Sequence, residues 1–205
     1  MLEARSLECV RGQRQLFRNL SFSLCPGDCF ALRGPNGSGK TSLLRMLSGL
    51  LLPTSGTILW HGNPIGAVRE EYLSSMAYVG HRCGVKDHLT TVENLRVSSA
   101  LNGCELSRNE AREVLERMSL TEQENLLARQ LSEGQHRRLA LARLVACRRS
   151  LWLLDEILTA LDEAGAQSMT TLVEQHLSGG GMAVIATHQD LQLIARMSRR
   201  IELAA

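Results

Sequence analysis

The sequence predicts an α/β domain with a helical segment set into its middle. Three observations carry this. Short apolar runs alternate with helix-period segments at both ends of the chain. The glycine-rich stretch GPNGSGKT stands between one such run and one such helix. The middle is polar and helix-like, with no strand-like alternation. Strand–helix–strand alternation implies parallel strands joined by crossovers. The two ends, about 1–81 and 151–205, are therefore expected to form one sheet-based lobe, and about 82–150 a helical lobe. With no linker, low-complexity tract or internal repeat in view, the 205 residues read as a single domain.

Each element has its own signal. Leu2–Cys9 and Leu16–Leu24 are extended candidates, and LSFSL alternates apolar and polar residues with period two. Pro26–Gly27–Asp28 marks a turn, and CFALR, Cys29–Arg33, is a short buried strand. The leucines of SLLRMLSGL recur at helical spacing. GTILWHGNPI, residues 56–65, reads as a hairpin turning at Gly62–Asn63–Pro64. Ser107 with Glu110, and Ser132 with Gln135, are capping boxes opening two helices of the middle segment. LWLLD (151–155), a helix from about Glu163 to Leu177, MAVIAT (182–187), a further helix and SRRIEL complete the chain.

Composition narrows the function. Hydrophobic residues make up 44% and aromatics only 3%, so the core must be mostly aliphatic. A net charge of +2 argues against a nucleic-acid partner. No apolar run approaches the roughly 20 residues that cross a bilayer. MLEARSLECV carries Glu3 and no apolar stretch, so no signal peptide is expected. The six cysteines are scattered without a CxxC, the pattern of free thiols in a reducing compartment. The chain is expected in the cytosol, reaching any membrane only through a partner.

Gly34, Pro35, Asn36, Gly37, Ser38, Gly39, Lys40 and Thr41 fit G-x-x-x-x-G-K-[ST] between a strand and a helix. The glycines let successive backbone N–H groups turn toward phosphate oxygens, and the helix N-terminus adds partial positive charge. Lys40 is expected at the β- and γ-phosphates of ATP and Thr41 on Mg²⁺, with Ser42 beside it. Asp155 and Glu156 end an apolar strand, where paired carboxylates need a cationic counterpart. Asp155 suits magnesium and Glu156 a general base for the attacking water. His188, after MAVIAT, is a candidate γ-phosphate sensor.

LSEGQ, Leu131–Gln135, completes an ordered set: phosphate loop, LSEGQ, LWLLDE, Leu161–Asp162, His188. On these motifs the chain resembles the nucleotide-binding domain of ABC ATPases over nearly its whole length. The resemblance implies a P-loop NTPase fold with an antiparallel β subdomain and an inserted helical subdomain. It implies a nucleotide-dependent homodimer, in which Ser132, Gly134 and Gln135 of one subunit meet the ATP held by the other. Three positions depart from the family pattern. Ile157 replaces a proline, Glu133 a glycine of the signature, and Arg11 stands where an aromatic residue usually stacks on adenine. A guanidinium plane can also stack on a base, so Arg11 is a candidate adenine contact.

His81 occupies the position of the family's glutamine that touches magnesium and the attacking water. A neutral imidazole can bond a water or a metal through one ring nitrogen. A direct metal or haem site from His81, Cys83 and His88 matches no strong spacing. V-G-H-x-x-G-x-K, Val79–Lys86, followed by LTTVENL, looks like the ATP-binding subunits of the bacterial haem exporter of cytochrome c maturation. That resemblance implies membrane-embedded permease partners at the cytoplasmic face of the inner membrane. It also implies ATP hydrolysis that drives haem export or the release of haem from a periplasmic chaperone. A different cargo, or a soluble non-transport ABC ATPase, are the alternatives. The latter usually carry coiled-coil insertions or tandem ATPase domains, absent here.

Overall fold

The computed structural model describes residues 1–80, 84–156, 163–187 and 198–203. The chain divides into two units, Met1–Gly80 with Ser150–Ile157 and Thr170–Ala205, and His81–Arg149 with Leu158–Met169.

The first unit holds two sheets. β1 (Leu2–Arg11) and β2 (Arg14–Leu24) form an antiparallel pair joined by Gly12–Gln13, with Arg11 opposite Arg14. Gly12 takes φ +60°, the conformation a two-residue hairpin turn requires. After β3 (Cys29–Arg33) and α1 (Lys40–Leu47), β4 (Ser55–Trp60) pairs with the free edge of β1. The hairpin read in 56–65 is therefore shorter than its sequence suggests. Its second arm, β5, is only Asn63–Pro64, because Pro64 brings no N–H to a ladder.

The second sheet is parallel and adds β6 (Met76–Val79), β7 (Leu151–Asp155), β8 (Met182–Ala186) and β9 (Ser198–Glu202) in the order β6-β7-β8-β3-β9. β3, β7 and β8 are almost wholly buried, as continuous apolar runs covered on both faces must be. β6 and the helix before it, α2 (Arg69–Ser75), have no counterpart in the sequence reading. Leucines of α1 pack with Leu2, Leu7, Leu24, Leu151, Leu153 and Val184 into one mostly aliphatic core that also takes in Phe17, Phe30, Trp60 and Tyr72. Each such side chain contributes about 1.5–3 kcal/mol by leaving water. Phe22 of β2 meets Phe30 of β3 edge-to-face at 5.3 Å, tying one sheet to the other.

The second unit is helical. α3 (Thr91–Leu101), α4 (Arg108–Arg117) and α5 (Glu133–Cys147) each open with a complete capping box, Thr90–Glu93, Ser107–Glu110 and Ser132–Gln135. Their contacts bury Leu95, Leu115, Leu139 and Leu144. Buried Asn94 of α3 holds the preceding loop: its amide donates to the carbonyls of Lys86, Leu89 and Thr90, and its oxygen accepts from the Lys86 N–H at 2.7 Å. α6 (Glu163–Ser178) begins among residues of this unit and ends in the first.

Candidate functional site

Strand β3 ends at Arg33, and the chain turns through Gly34–Gly39 into α1. Two glycines in this turn are required by space as well as by backbone angle. At Gly34, φ +148°, a Cβ would lie 2.5 Å from the Leu203 carbonyl oxygen and 2.6 Å from Ser38 Oγ. At Gly39, φ +103°, it would meet Leu16 and Phe17 at 3.1 Å. The loop thus fits closely against β2 and the end of β9. Lys40 is buried, and its ammonium donates to the carbonyls of Gly34 (2.7 Å) and Pro35 (3.0 Å). This curls the side chain back along the loop, within reach of phosphates bound there. Ser38 Oγ is buried and has no hydrogen-bond partner among the described residues.

The carboxylates arrive from β7, which β8 separates from β3 in the sheet. Thr41 Oγ1 donates to Asp155 Oδ1 at 3.2 Å. These two hard oxygens come from residues 114 positions apart. A hydroxyl and a buried carboxylate so placed match the oxygen ligands that Mg²⁺ takes. Glu156 follows in the left-handed conformation, φ +53°, with its N–H donating to Ala186 O at 3.0 Å. A non-glycine residue held there carries on the order of 1 kcal/mol of strain. Glu156 lines one cleft of about 390 Å³ together with Leu16, Asn36, Gly37, Gly39, Lys40, Thr41 and Ser42. Phosphate-cradling backbone, a cation, hard oxygen ligands and a carboxylate able to take a proton thus converge on one space. Such a set can bind a nucleoside triphosphate and direct water at it.

Other expected site residues fall elsewhere. Ser132, Gly134 and Gln135 lie in the second unit at the start of α5. There the Ser132 hydroxyl accepts from the Gln135 N–H at 3.2 Å, and Gln135 Oε1 accepts from the Ser132 N–H at 2.8 Å. Arg11 is exposed at the end of β1. The arginine beside the phosphate loop is its hairpin partner Arg14, whose Nη1 lies 3.7 Å from where a Gly37 Cβ would stand. Neither Arg14 nor Leu16 is read from the sequence as a site residue, although the R-G-Q-R turn already sets Arg11 and Arg14 opposite each other. Cys9 lies against Ser42; burial raises its thiol, opposed by the Arg11 charge and the Ser42 hydroxyl. His81, His188, Ile157, Leu161 and Asp162 lie outside the described residues.

A glycine-cradled phosphate loop, a magnesium-type carboxylate with a neighbouring glutamate, and a separately capped LSEGQ helix define an ABC-type ATPase. Comparison with known proteins agrees. The ABC transporter family matches residues 17–159. The cytochrome c biogenesis ATP-binding export protein CcmA of Nitrosomonas europaea is 52% identical over 191 residues, 93% of this chain and 90% of that protein. The protein of the same name from Pseudomonas aeruginosa is 42% identical over 205 residues, with full coverage of both. Among solved structures, a putative ABC transporter ATP-binding protein from Pyrococcus furiosus superposes with a TM-score of 0.84 at 25% identity, covering 98% of this chain and 96% of that one. A dimeric bacterial ABC transporter cassette gives 0.86 at 23%, covering 100% and 94%. The chain belongs to the ABC transporter family, among its CcmA-type ATP-binding proteins, and is an ATP-hydrolysing enzyme.

Proposed function

We propose that this ATPase energises a membrane complex of cytochrome c biogenesis, driving haem export or the release of haem from its periplasmic chaperone. The observation that carries the proposal is near-full-length identity of 42–52% to relatives named for that process. In this reading the N–H groups of Gly34–Gly39 hold the phosphates and Lys40 leaves its loop carbonyls for the β- and γ-oxygens. Thr41 and Asp155 hold Mg²⁺, which when bound neutralises charge on those oxygens. Glu156 takes a proton from the attacking water, His188 senses the γ-phosphate, and His81 relays the state of the site to the partner. Arg11 contacts the adenine. Ser132, Gly134 and Gln135 meet the nucleotide of a second copy in an ATP-dependent homodimer.

The partners are membrane-embedded permease subunits, and the chain sits peripherally on the cytoplasmic face of the bacterial inner membrane. No described helix is long and apolar enough to cross a membrane. Val97 and Leu101, one turn apart on α3, are 44% and 81% exposed, and support an apolar docking site for a partner.

The test is Glu156→Gln in the native host, read by the reduced-minus-oxidised spectrum of covalently attached haem, with b-type haem as control. Loss of c-type haem alone is expected, because removal of a general base lowers turnover about 10²–10⁴-fold. Normal c-type haem with normal levels of the variant would exclude the cytochrome c assignment.

A further inference from the structure

Five thiols lie among the described residues. Cys9 and Cys29 are buried, and burial pushes Cys29 up to about 12. Cys25 is exposed on the turn after β2. Cys104 and Cys147 are different, because the fold brings them together within the helical unit. Cys104 follows α3, and its N–H donates to Ser99 O at 2.9 Å, which fixes its backbone. Its thiol donates to the carbonyl of Ala146 at 3.3 Å, on the last turn of α5. The next residue is Cys147, close enough to Cys104 for that side chain to raise the Cys147 thiol. Both are only half-buried, so a small reagent can reach them.

The surroundings are cationic. The Arg149 guanidinium donates to Asn102 O, two residues before Cys104; burial raises the Cys147 thiol, and the Arg149 charge opposes this only weakly. Exposed Arg148 turns the chain away directly after Cys147 with φ +44°. Two neighbouring thiols that a small reagent can reach are what thiol–disulfide exchange requires.

We propose that Cys104 and Cys147 form a dithiol–disulfide modification site that reacts with low-molecular-weight disulfides. Burial first, and then the charge Cys104 acquires on ionising, hold the Cys147 thiol above its ordinary range. Cys104 is therefore assigned as the attacking sulfur and Cys147 as the resolving one. Its thiolate displaces one thiolate from the small disulfide and is left as a mixed disulfide. Cys147 then gives up its proton, attacks the Cys104 sulfur and releases the second small thiol. Two electrons pass to the reagent, which leaves as two thiols carrying the two protons, and a dithiol reductant reverses the exchange. The bond would tie the segment after α3 to the end of α5, the helix that starts at Ser132.

Reduced full-length protein is treated with oxidised glutathione and its peptides are mapped without reduction. The expected product is a Cys104–Cys147 peptide pair two hydrogens lighter than its dithiol, with loss of two of the six thiols and recovery with dithiothreitol. In Cys147→Ser the reaction is expected to stop at a glutathione adduct on Cys104, and in Cys104→Ser no intrachain bond forms. Two results would overturn the proposal: both sulfurs remaining thiols while Cys25 is glutathionylated, or either pairing with Cys83 or with a cysteine of another copy.

Discussion

Gly34 and Gly37 look alike in the motif and differ in what surrounds them. A side chain at Gly34 runs into the backbone oxygen of Leu203 at 2.5 Å, whereas one at Gly37 meets only the flexible end of Arg14 at 3.7 Å. Gly34→Ala must shift the loop or β9 and should destabilise the protein by about 2 kcal/mol or more. Gly37→Ala, strained only by φ +79°, should cost about 1 kcal/mol. Urea unfolding of the two variants checks the order, and equal losses would refute it. The motif alone ranks the glycines equally, since the difference lies in residues far along the chain. The same limit applies to Arg14. Its place is legible in the hairpin, but its closeness to Gly37 depends on how the two sheets meet. The positions of Lys40, Thr41, Asp155 and Glu156 at the ends of their elements could be read from the sequence, because the motifs place fixed residue types next to recognisable strands and helices.

Elements with a strong local code were legible and those defined by packing were not. The three capping boxes state their helices in the sequence, and two of them, at Ser107 and Ser132, were read there. α2 and β6 escaped because four strand residues, MAYV, carry too short a pattern to stand out. Near the end of α6, His176 stacks on Trp152 of β7 with centroids 3.8 Å apart and planes 4° from parallel. One ring nitrogen lies 3.1 Å from Met182 O at the start of β8. Burial lowers the His176 pKa below 6.5, opposed by the Met182 hydrogen bond. The folded state therefore prefers the neutral ring. Its contribution is complete above the unfolded value and is lost as pH falls from about 6.5 through the lowered folded value. Urea midpoints should fall between pH 7.5 and 5.5, and His176→Phe should flatten that dependence. A variant with the wild-type slope would show that another group is responsible.

At the scale of the whole molecule the phosphate loop and the carboxylates meet only when the parallel sheet is complete. A ligand that binds there acts on the folded state alone. ATP at 100 times its Kd should add about 2.7 kcal/mol. For a chain of this size that corresponds to a rise of roughly 5–10 °C in the thermal midpoint. Glu156→Gln should keep this shift and Lys40→Ala should lose most of it; a full shift in Lys40→Ala would place the nucleotide elsewhere. The strand order has another consequence, for biosynthesis. β3 is made early, yet its two neighbours are β8 and β9, with Phe30 opposite Val184 on one side and Arg199 on the other. While the ribosome works through the intervening chain, an apolar strand waits with both edges unpaired, the form most open to pairing with a stranger. Success in making this protein therefore turns on shielding CFALR until the last strands emerge, a task that falls to chaperones or to speed of synthesis rather than to the N-terminal half itself.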